Sequence, residues 1–399
     1  MRHRFFIMLP LLILSCVLLV VKTSWANREP AVLWQYSAPS PIRQIAYRQF
    51  FDSTKRSFPI QAVLTEGEII FFDTNGKRER EKKLAAGEEG LFSPDGSFYL
   101  ILHHRNNNPS LEVEKILIYE ARGTLKKELV VEGRVWLSPD NKYLVIISLK
   151  KSRVSFYDIA GNLLKEYPLD NPISVNLDFS EDGHYCLLYL FNSLSTLFVY
   201  NDQGEFLWHT QEDRLPGKAA MSASGKHIIF YTEETLSSFL LDEKATSLSK
   251  DNKYREDLYR LAWKERLYAG GIKAAISDRG DTLALVREAN RRVVLFDNQN
   301  GQILWKHDLL EDIEGLSGHF TSLSLSDDYL LVTADKSRQK ANDTCYLYLF
   351  NAQGDLCWER SFAASDIKGR IKGGYIEVVL AHRVELYEMR DHRFHRLQR

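Results

Sequence analysis

Beyond residue 30, the chain alternates between short apolar runs and small clusters of polar turn-forming residues. Runs such as Tyr143-Leu-Val-Ile-Ile-Ser148 are rich in β-branched and aromatic residues, and many of them end on Phe or Tyr. This composition, with turn residues at both ends of each run, favours β-strands over helices. The pattern therefore predicts an all-β chain of short strands joined by hairpins.

A serine-led turn recurs between these runs at steps of about 40–50 residues, the length of a four-stranded repeat. Its occurrences are Ser93-Pro-Asp-Gly96, Ser138-Pro-Asp-Asn141, Ser180-Glu-Asp-Gly183, Ser222-Ala-Ser-Gly225, Ser277-Asp-Arg-Gly280 and a shortened Ser326-Asp-Asp328. A fixed-period strand–turn–strand unit is typical of a β-propeller. We expect the recurring aspartates to have a structural role in the turns; these are Asp95, Asp140 and Asp182.

A second turn follows in each unit, beginning at an acidic or amide residue and closing on glycine. Its occurrences are Asp73–Gly76, Glu120–Gly123, Asp158–Gly161, Asn201–Gly204, Asp297–Gly301 and Asn351–Gly354. Asp and Asn stabilise tight turns, and glycine adopts the positive φ that closes a hairpin. One blade is then strand A, the serine turn, strand B, a variable loop, strand C, the second turn and strand D.

The ends of the chain favour eight blades over seven and predict how the ring closes. Two segments with weak turn signals each count as one blade. The first is Ile42 to Leu84, and the second is the hairpin formed by Tyr375–Leu380 and Arg383–Glu388. The segment Leu33-Trp34-Gln-Tyr36 resembles a strand D, so we expect it to complete the final blade and close the ring. The competing segment is His392 to Leu397. The strand D tryptophans are expected to pack between blades; they are Trp208, Trp305 and Trp358.

One interval in the repeat is longer than the others and predicts an insertion at 246–272. Asp251 to Leu267 starts with a plausible N-cap and places Tyr254, Leu258 and Leu261 at helical spacing, with Ala262 next to them. This spacing predicts a short amphipathic helix lying on the propeller.

The first 26 residues have the pattern of a signal peptide or an N-terminal membrane anchor, and 27–399 is expected to form a single propeller domain. Met1–Arg4 is basic, Phe5–Val21 is apolar, and Ser24-Trp25-Ala26 has small residues where a signal peptidase reads. A lipid-modified Cys16 is a further alternative. Each reading predicts an extracytoplasmic protein, which is periplasmic or secreted after cleavage near Ala26, or anchored in the inner membrane.

Composition narrows the function only slightly. With 52 Lys plus Arg against 53 Asp plus Glu, the net charge is -1, which gives no reason to expect nucleic acid as a partner. Four cysteines are too few for a disulfide scaffold. A bond between Cys345 and Cys357 stays open, because a hairpin pairing would place Cys345 near Arg360 instead.

The repeats resemble known propeller families. The run Phe92-Ser-Pro-Asp-Gly96 is similar to the WD40-like and TolB-like propellers of exported bacterial proteins. The run Asp297–Trp305 resembles the tryptophan-docking repeat of quinoprotein-like propellers, a group that includes an eight-bladed outer-membrane assembly lipoprotein. The resemblance implies the fold. The quinoprotein redox function is not implied, because the chain has no adjacent pair of cysteines.

No catalytic, cofactor-binding or metal-binding motif stands out. His103-His104 and His392-x-x-His395 lack further ligands at metal spacing, and no phosphate loop or nucleophile elbow is present. We therefore expect no cofactor and no metal, and a binding function without catalysis. Two alternatives stay open: a lyase or hydrolase with its site in the central funnel, and a membrane-anchored ligand sensor.

The B–C and D–A loops are expected to share one face of the ring, and the irregular segments, including the insertion at 246–272, are assigned to that face. Irregular loops on a rigid scaffold are common binding sites. Several of these loops are basic, so we expect them to dock a protein or an anionic envelope polymer. The candidate residues are Lys150, Lys151, Arg153, Arg287, Arg291, Arg292, Lys336, Arg338 and Lys340.

Overall fold

The computed structural model describes the chain from residue 31 to residue 389 with several gaps. The described ranges are 31–38, 40–47, 60–93, 96–108, 112–180, 182–212, 217–242, 258–267, 272–287, 292–309, 319–335, 344–364, 366–372 and 375–389. Within them the regular structure consists of β-strands and a short 3₁₀ turn at Arg105–Asn107. None of the described residues belongs to a helix that is long and apolar enough to cross a membrane. The N-terminal targeting pattern lies outside these ranges.

The strands follow one another as consecutive antiparallel hairpins. β1 (Ala31–Ser37) precedes blade 1, which contains β2 (Ile42–Tyr47), β3 (Ile60–Thr65), β4 (Glu68–Phe72) and β5 (Arg78–Lys83). Blade 2 contains β6 (Glu88–Phe92), β7 (Phe98–His104), β8 (Val113–Glu120) and the first half of β9 (Leu125–Leu137). Blade 3 contains the second half of β9, β10 (Tyr143–Ser148), β11 (Arg153–Asp158) and β12 (Leu163–Pro168).

The remaining strands repeat the same order. Blade 4 contains β13 (Ser174–Phe179), β14 (Tyr185–Phe191), β15 (Ser195–Asn201) and β16 (Phe206–Glu212). Blade 5 contains β17 (Lys218–Met221), β18 (His227–Tyr231), β19 (Thr235–Leu241) and β20 (Tyr259–Arg266). Blade 6 contains β21 (Ile272–Ile276), β22 (Thr282–Arg287), β23 (Arg292–Asp297) and β24 (Ile303–Asp308). Blade 7 contains β25 (His319–Leu325), β26 (Tyr329–Asp335), β27 (Thr344–Asn351) and β28 (Leu356–Ala363), and the final blade contains β29 (Ile367–Lys372), β30 (Tyr375–Leu380) and β31 (Arg383–Glu388).

The described strands form six four-stranded sheets and one seven-stranded sheet. The seven-stranded sheet arises because β9 pairs with β8 along its first half and with β10 along its second half. It therefore contains two blades that share one strand. The arrangement agrees with the predicted β-propeller fold and is consistent with eight blades.

The N-terminal strand completes the last blade, as predicted. β1 pairs antiparallel with β31, which gives the order β29-β30-β31-β1 in that sheet. A core cluster then joins this blade to blade 1: Tyr36, Val384 and Leu386 pack with side chains of β2 to β4. The ring is thus closed by strand pairing between the two ends of the chain, which leaves β31 without an open edge.

The hydrophobic core lies between neighbouring blades, where the predicted tryptophans contribute. Trp208 is buried against Phe239 of the next blade, with ring centroids 5.3 Å apart. Trp305 and Trp358 make the equivalent contacts with the following blades, through Phe350 and Tyr387. The predicted packing role of these tryptophans is confirmed.

The serine turns have a structural role. In five of them the serine side chain is fully or almost fully buried, and its Oγ accepts the backbone N–H of the residue five positions later. Asp140 and Asp182 each accept a hydrogen bond from the serine of their own turn, at 2.7 and 2.6 Å. The predicted structural role of these two aspartates is confirmed, and Asp95 lies outside the described residues.

The predicted helix in the insertion is wrong over the described part of that segment. Tyr259–Arg266 forms β20, the strand D of blade 5, and Trp263 occupies its tryptophan position, donating its indole N–H to the Asn298 carbonyl oxygen at 2.7 Å. Tyr259 is buried, Leu261 is exposed and a bulge separates Leu261 from Trp263, so no regular period of two marks this strand in the sequence. Residues 243–257 lie outside the described ranges; the residues on either side, Asp242 and Leu258, are hydrogen-bonded to each other at the C–D end of blade 5, which is the face of the short turns.

Cys345 and Cys357 do not form a disulfide with each other. The register of β27 and β28 places Cys345 opposite Phe362, while Cys357 lies next to the turn and is exposed. Phe350 lies opposite Leu356 instead of Asp355, and the ladder shifts by one further residue between Leu349 and Phe350, so the neighbour of Cys345 moves from Arg360 to Phe362.

Candidate functional site

The junction of blades 2 and 3 is shaped by a bulge in β9. Val113 of β8 lies opposite Gly133, but Lys115 lies opposite Val130, so β9 contains one extra residue at this point. Gly133 has a φ of 153°, and a Cβ atom there would lie 2.5 Å from the carbonyl oxygen of Ile147. Bulges re-aim side chains. Here the bulge places Glu132 at the edge of the ring that carries the B–C loops.

The Glu132 carboxylate binds three basic side chains from two blades. Lys150 Nζ lies 3.0 Å from Oε1, and Lys151 Nζ lies 3.0 Å from Oε2. Arg105 Nη2, from the loop after β7, lies 2.5 Å from Oε1. Hydrogen bonds from Lys150, Lys151 and Arg105 lower the pKa of Glu132 to about 2. One carboxylate thus holds three cations, and Glu112 and Glu114 also interact electrostatically with Arg105.

A pocket of about 310 Å³ opens beside this cluster. Its walls come from β8 to β11 and from the loop after β7. The lining residues are Arg105, Glu114, Val130, Val131, Glu132, Ile146, Ser148, Lys151, Arg153, Ser155 and Tyr157. The lining thus combines cationic and hydroxyl groups with the carboxylates of Glu114 and Glu132 and with aliphatic side chains, a mixture that can hold a polar group attached to an apolar chain.

The predicted basic residues do not form one continuous site. Lys150, Lys151 and Arg153 come together at the pocket, where Arg153 Nη1 also binds Glu166 Oε1 at 3.1 Å. Arg287 and Arg292 lie in blade 6 instead: Arg287 Nη2 is 3.7 Å from Glu265, and Arg292 forms a two-point ion pair with Asp308. The other four lie outside the described residues: Arg291, Lys336, Arg338 and Lys340.

Arg105 and Glu132 were not predicted from the sequence. Arg105 precedes Asn106, which has a φ of 53°, and Glu132 precedes Gly133. The available signal in the sequence was an Asn or Gly, the residues that most readily adopt a positive φ, directly after a charged residue. The pairing itself joins residues 27 positions apart and depends on the shared strand.

No family model and no curated protein matches the sequence. Solved structures match the fold. The chain is similar to BamB from Moraxella catarrhalis, with a TM-score of 0.58 and 12% identity over 90% of this chain and 100% of that one. It is also similar to Saccharomyces cerevisiae Sqt1, with a TM-score of 0.58 and 12% identity over 90% of this chain and 99% of that one. A third similar structure is the C-terminal WD40 domain of Sif2, with a TM-score of 0.57 and 11% identity over 90% of this chain and 98% of that one.

The chain is a β-propeller whose fold is similar to those of WD40 domains and of BamB. The expected resemblance to WD40-like and quinoprotein-like propellers is confirmed at the level of the fold. Identities of 11–12% show a shared fold and no more. Any role for the basic pocket must therefore be argued from its own residues.

A second polar cluster lies at the opposite face of the ring. Ligand atoms of Asp140, His184 and Asp202 lie within 4.8 Å of one another. Lys142 Nζ lies 2.9 Å from Asp140 Oδ2, and His184 Nδ1 lies 3.3 Å from Asp202 Oδ2. Lys142 and His184 each contact one of the two carboxylates, so the cluster is explained as a network joining the turns of blades 3 and 4.

Proposed function

We propose that the chain is a non-catalytic extracytoplasmic scaffold that docks an anionic partner through its B–C and D–A face. The basic pocket at the junction of blades 2 and 3 is the anchor. The observation that carries this proposal is the gathering of Arg105, Lys150 and Lys151 on the single carboxylate of Glu132 beside an open pocket. Glu114, which also lines the pocket, and Glu112 interact electrostatically with Arg105, so we expect a second anion to bind mainly Lys150 and Lys151.

The chemistry of the cluster favours binding over acid–base catalysis. A general acid or base needs a pKa near the working pH. Three cationic hydrogen-bond donors lower the pKa of Glu132 to about 2, so the carboxylate stays ionised at neutral pH. Arg105, Lys150 and Lys151 are hydrogen-bond donors that suit carboxylate or phosphate oxygens.

The side chains are also accessible enough to reach a partner. Lys150 is 64% exposed and Lys151 is 44% exposed, although both contact Glu132. Partly exposed ion pairs of this kind are weak, so a partner carboxylate can share the cations at little cost. The loop edge of a rigid propeller holds them in fixed positions.

The extracytoplasmic location rests on the N-terminal sequence. The basic start, the apolar run Phe5–Val21 and the small residues around Ala26 support export. N-terminal sequencing of the protein from fractionated cells tests this part: we expect either a mature N-terminus near Asn27 or an intact N-terminus in the membrane fraction. An intact chain in the cytosol would contradict it.

Charge reversal tests the docking site. Lys150→Glu combined with Lys151→Glu is expected to remove the partner bands obtained by chemical cross-linking in intact cells. Lys126→Glu combined with Lys127→Glu is the matched control, because it makes the same charge change at the start of β9, next to the C–D turn and away from Glu132. Circular dichroism and melting curves verify that both variants fold. Unchanged bands in the Lys150 and Lys151 variant, or equal loss in both variants, would contradict the proposal.

A further inference from the structure

Three exposed aliphatic side chains lie at the same edge of the ring as the basic pocket. Val130 lines the pocket and is 85% exposed, Ile173 at the start of blade 4 is 69% exposed, and Leu194 in the B–C turn of blade 4 is 36% exposed. Exposure of a whole isoleucine or valine side chain forgoes about 1.5–3 kcal/mol of burial. Clustered exposure at one edge is therefore informative.

The other exposed large apolar side chains among the described residues are arranged differently. They lie on the outer strands D of their blades or at the turns that lead into them: Leu125, Leu163, Leu261, Ile303, Leu304 and Leu356. These positions are spread around the circumference of the ring. Val130 also lies on a strand D, that of blade 2, but it lines the pocket, whereas Ile173 and Leu194 lie in the D–A and B–C connections of blade 4, which adjoin the loop of Lys150 and Lys151.

Hydrogen bonds hold the connections that carry Ile173 and Leu194 against the loop of Lys150 and Lys151. The Leu169 amide donates to the Ser152 carbonyl oxygen at 2.7 Å, which ties the D–A connection to the turn of Lys150 and Lys151. The Ile173 amide donates to the Phe191 carbonyl oxygen at 2.7 Å. Asn192 Nδ2 donates to the Asp170 carbonyl oxygen at 3.2 Å. The surface from the pocket to blade 4 is therefore held in place before a partner binds, which lowers the entropic cost of docking.

We propose that the partner is a protein segment in which acidic residues adjoin aliphatic ones. This inference rests on the docking function proposed above and adds the class of the partner. A carboxylate of the segment binds mainly Lys150 and Lys151 beside Glu132, and neighbouring aliphatic side chains cover Val130, Ile173 and Leu194. Charge complementarity selects an anion, and the apolar rim selects a peptide over a polyanionic polymer, because a polymer of charged groups has no side chains to bury there.

Two labelled peptides and one polymer separate these contributions. The first peptide repeats Glu-Leu-Glu-Ser, the second replaces each Leu with Ser, and the polymer is polyphosphate. Binding of each probe to the full chain is measured by fluorescence anisotropy at two salt concentrations. We expect the leucine peptide to bind about tenfold more tightly than the serine peptide, which corresponds to about 1.4 kcal/mol.

Variants assign the binding to the two parts of the surface. Val130→Ser combined with Ile173→Ser is expected to weaken binding of the leucine peptide about fivefold to tenfold and to leave polyphosphate binding unchanged. Ile303→Ser combined with Leu304→Ser, on the outer strand of blade 6, is the matched control and is expected to change nothing. Lys150→Glu combined with Lys151→Glu is expected to weaken binding of all three probes.

The outcomes distinguish the two proposals. If the leucine and serine peptides bind equally, or if the Val130 and Ile173 variant binds like the wild type, the peptide class is wrong while an anionic partner stands. If polyphosphate is preferred over both peptides, the partner is a polymer. If Lys150→Glu with Lys151→Glu changes binding of no probe, the docking function itself is wrong.

Discussion

Glu132 binds three basic side chains, so one ionised carboxylate joins the loops of blades 2 and 3 at their junction. Sequence patterns pointed to Lys150, Lys151 and Arg153 because they cluster in one short loop. They could not reveal Glu132, whose neighbours come from two blades and meet only through the bulge in β9. They also could not show that Arg292 is paired with Asp308, because ion pairs across a hairpin depend on register.

The depressed pKa of Glu132 predicts a loss of stability in acid. Its folded-state pKa is about 2 against an ordinary value of 4.5, so its stabilising contribution is present above pH 4.5 and disappears as the pH falls towards 2. Glu132→Gln is expected to be less stable than the wild type at pH 6 and to approach it near pH 2. Urea unfolding across this range measures the difference. A difference independent of pH would show that the ion pairs do not stabilise the fold.

The raised pKa of Glu377 predicts the opposite dependence of stability on pH. Burial raises its pKa to about 7, and Arg370 Nη2 lies 3.9 Å away, too far for a hydrogen bond. The folded state keeps a proton that the unfolded state releases, so stability falls as the pH rises from 4.5 to 7. We expect Glu377→Gln to be up to about 2–3 kcal/mol more stable than the wild type at pH 8 and equal to it near pH 4. Denaturant unfolding at both pH values measures the effect. Equal stability at pH 8 would contradict it.

Among the elements, β9 is distinctive because it belongs to two blades without an intervening loop. The turn signals correctly predicted most hairpins, since Ser, Asp, Asn and Gly have direct effects on the backbone. The turn signals did not predict that β9 is shared by two blades, because Gly133 is the only turn-type residue between its strand D half and its strand A half. The helix predicted in the insertion was wrong for a related reason: β20 is specified by pairing with β19, not by its own spacing.

Gly133→Ala tests the geometry of this shared strand. A Cβ atom at Gly133 meets the backbone of Ile147 and Ser148, and backbone atoms inside a sheet cannot move aside. We expect a loss of about 1–3 kcal/mol in the free energy of unfolding. Gly67→Ala is the matched control, because a Cβ atom there meets nothing within 4 Å. Similar unfolding midpoints for both variants would contradict the account of the bulge.

At the scale of the whole molecule, the ring depends on β1, which the sequence identified through its resemblance to other strands D. The closed ring follows from a repeated unit whose sheet faces pack on both neighbours. The face on which a loop begins and ends follows from the strands that it connects. The assignment of the insertion at 246–272 to the B–C and D–A face did not follow this rule. The strands on either side of residues 243–257, β19 and β20, are strands C and D, so the insertion starts and ends at the face of the short turns and not at the B–C and D–A face.

Removal of residues 31–38 tests closure. The deletion exposes the edge of β31 and uncovers the cluster that joins the last blade to blade 1. We expect a lower melting temperature and concentration-dependent association through the open edge. Scanning calorimetry and size-exclusion chromatography measure both. A monomer with the wild-type melting temperature would show that the ring does not need β1.

The central claim is that the edge of the ring around Glu132 docks a protein partner. A photo-cross-linking amino acid placed at Val130 tests it in intact cells, with the same amino acid at Leu125 as the reference. Both positions are exposed on the half of β9 that belongs to blade 2, but Leu125 lies next to the C–D turn and Val130 lies at the pocket. We predict a protein adduct from position 130 that is absent from position 125 and is lost with Lys150→Glu and Lys151→Glu. Absence of an adduct at position 130, or identical adducts from both positions, would contradict the claim.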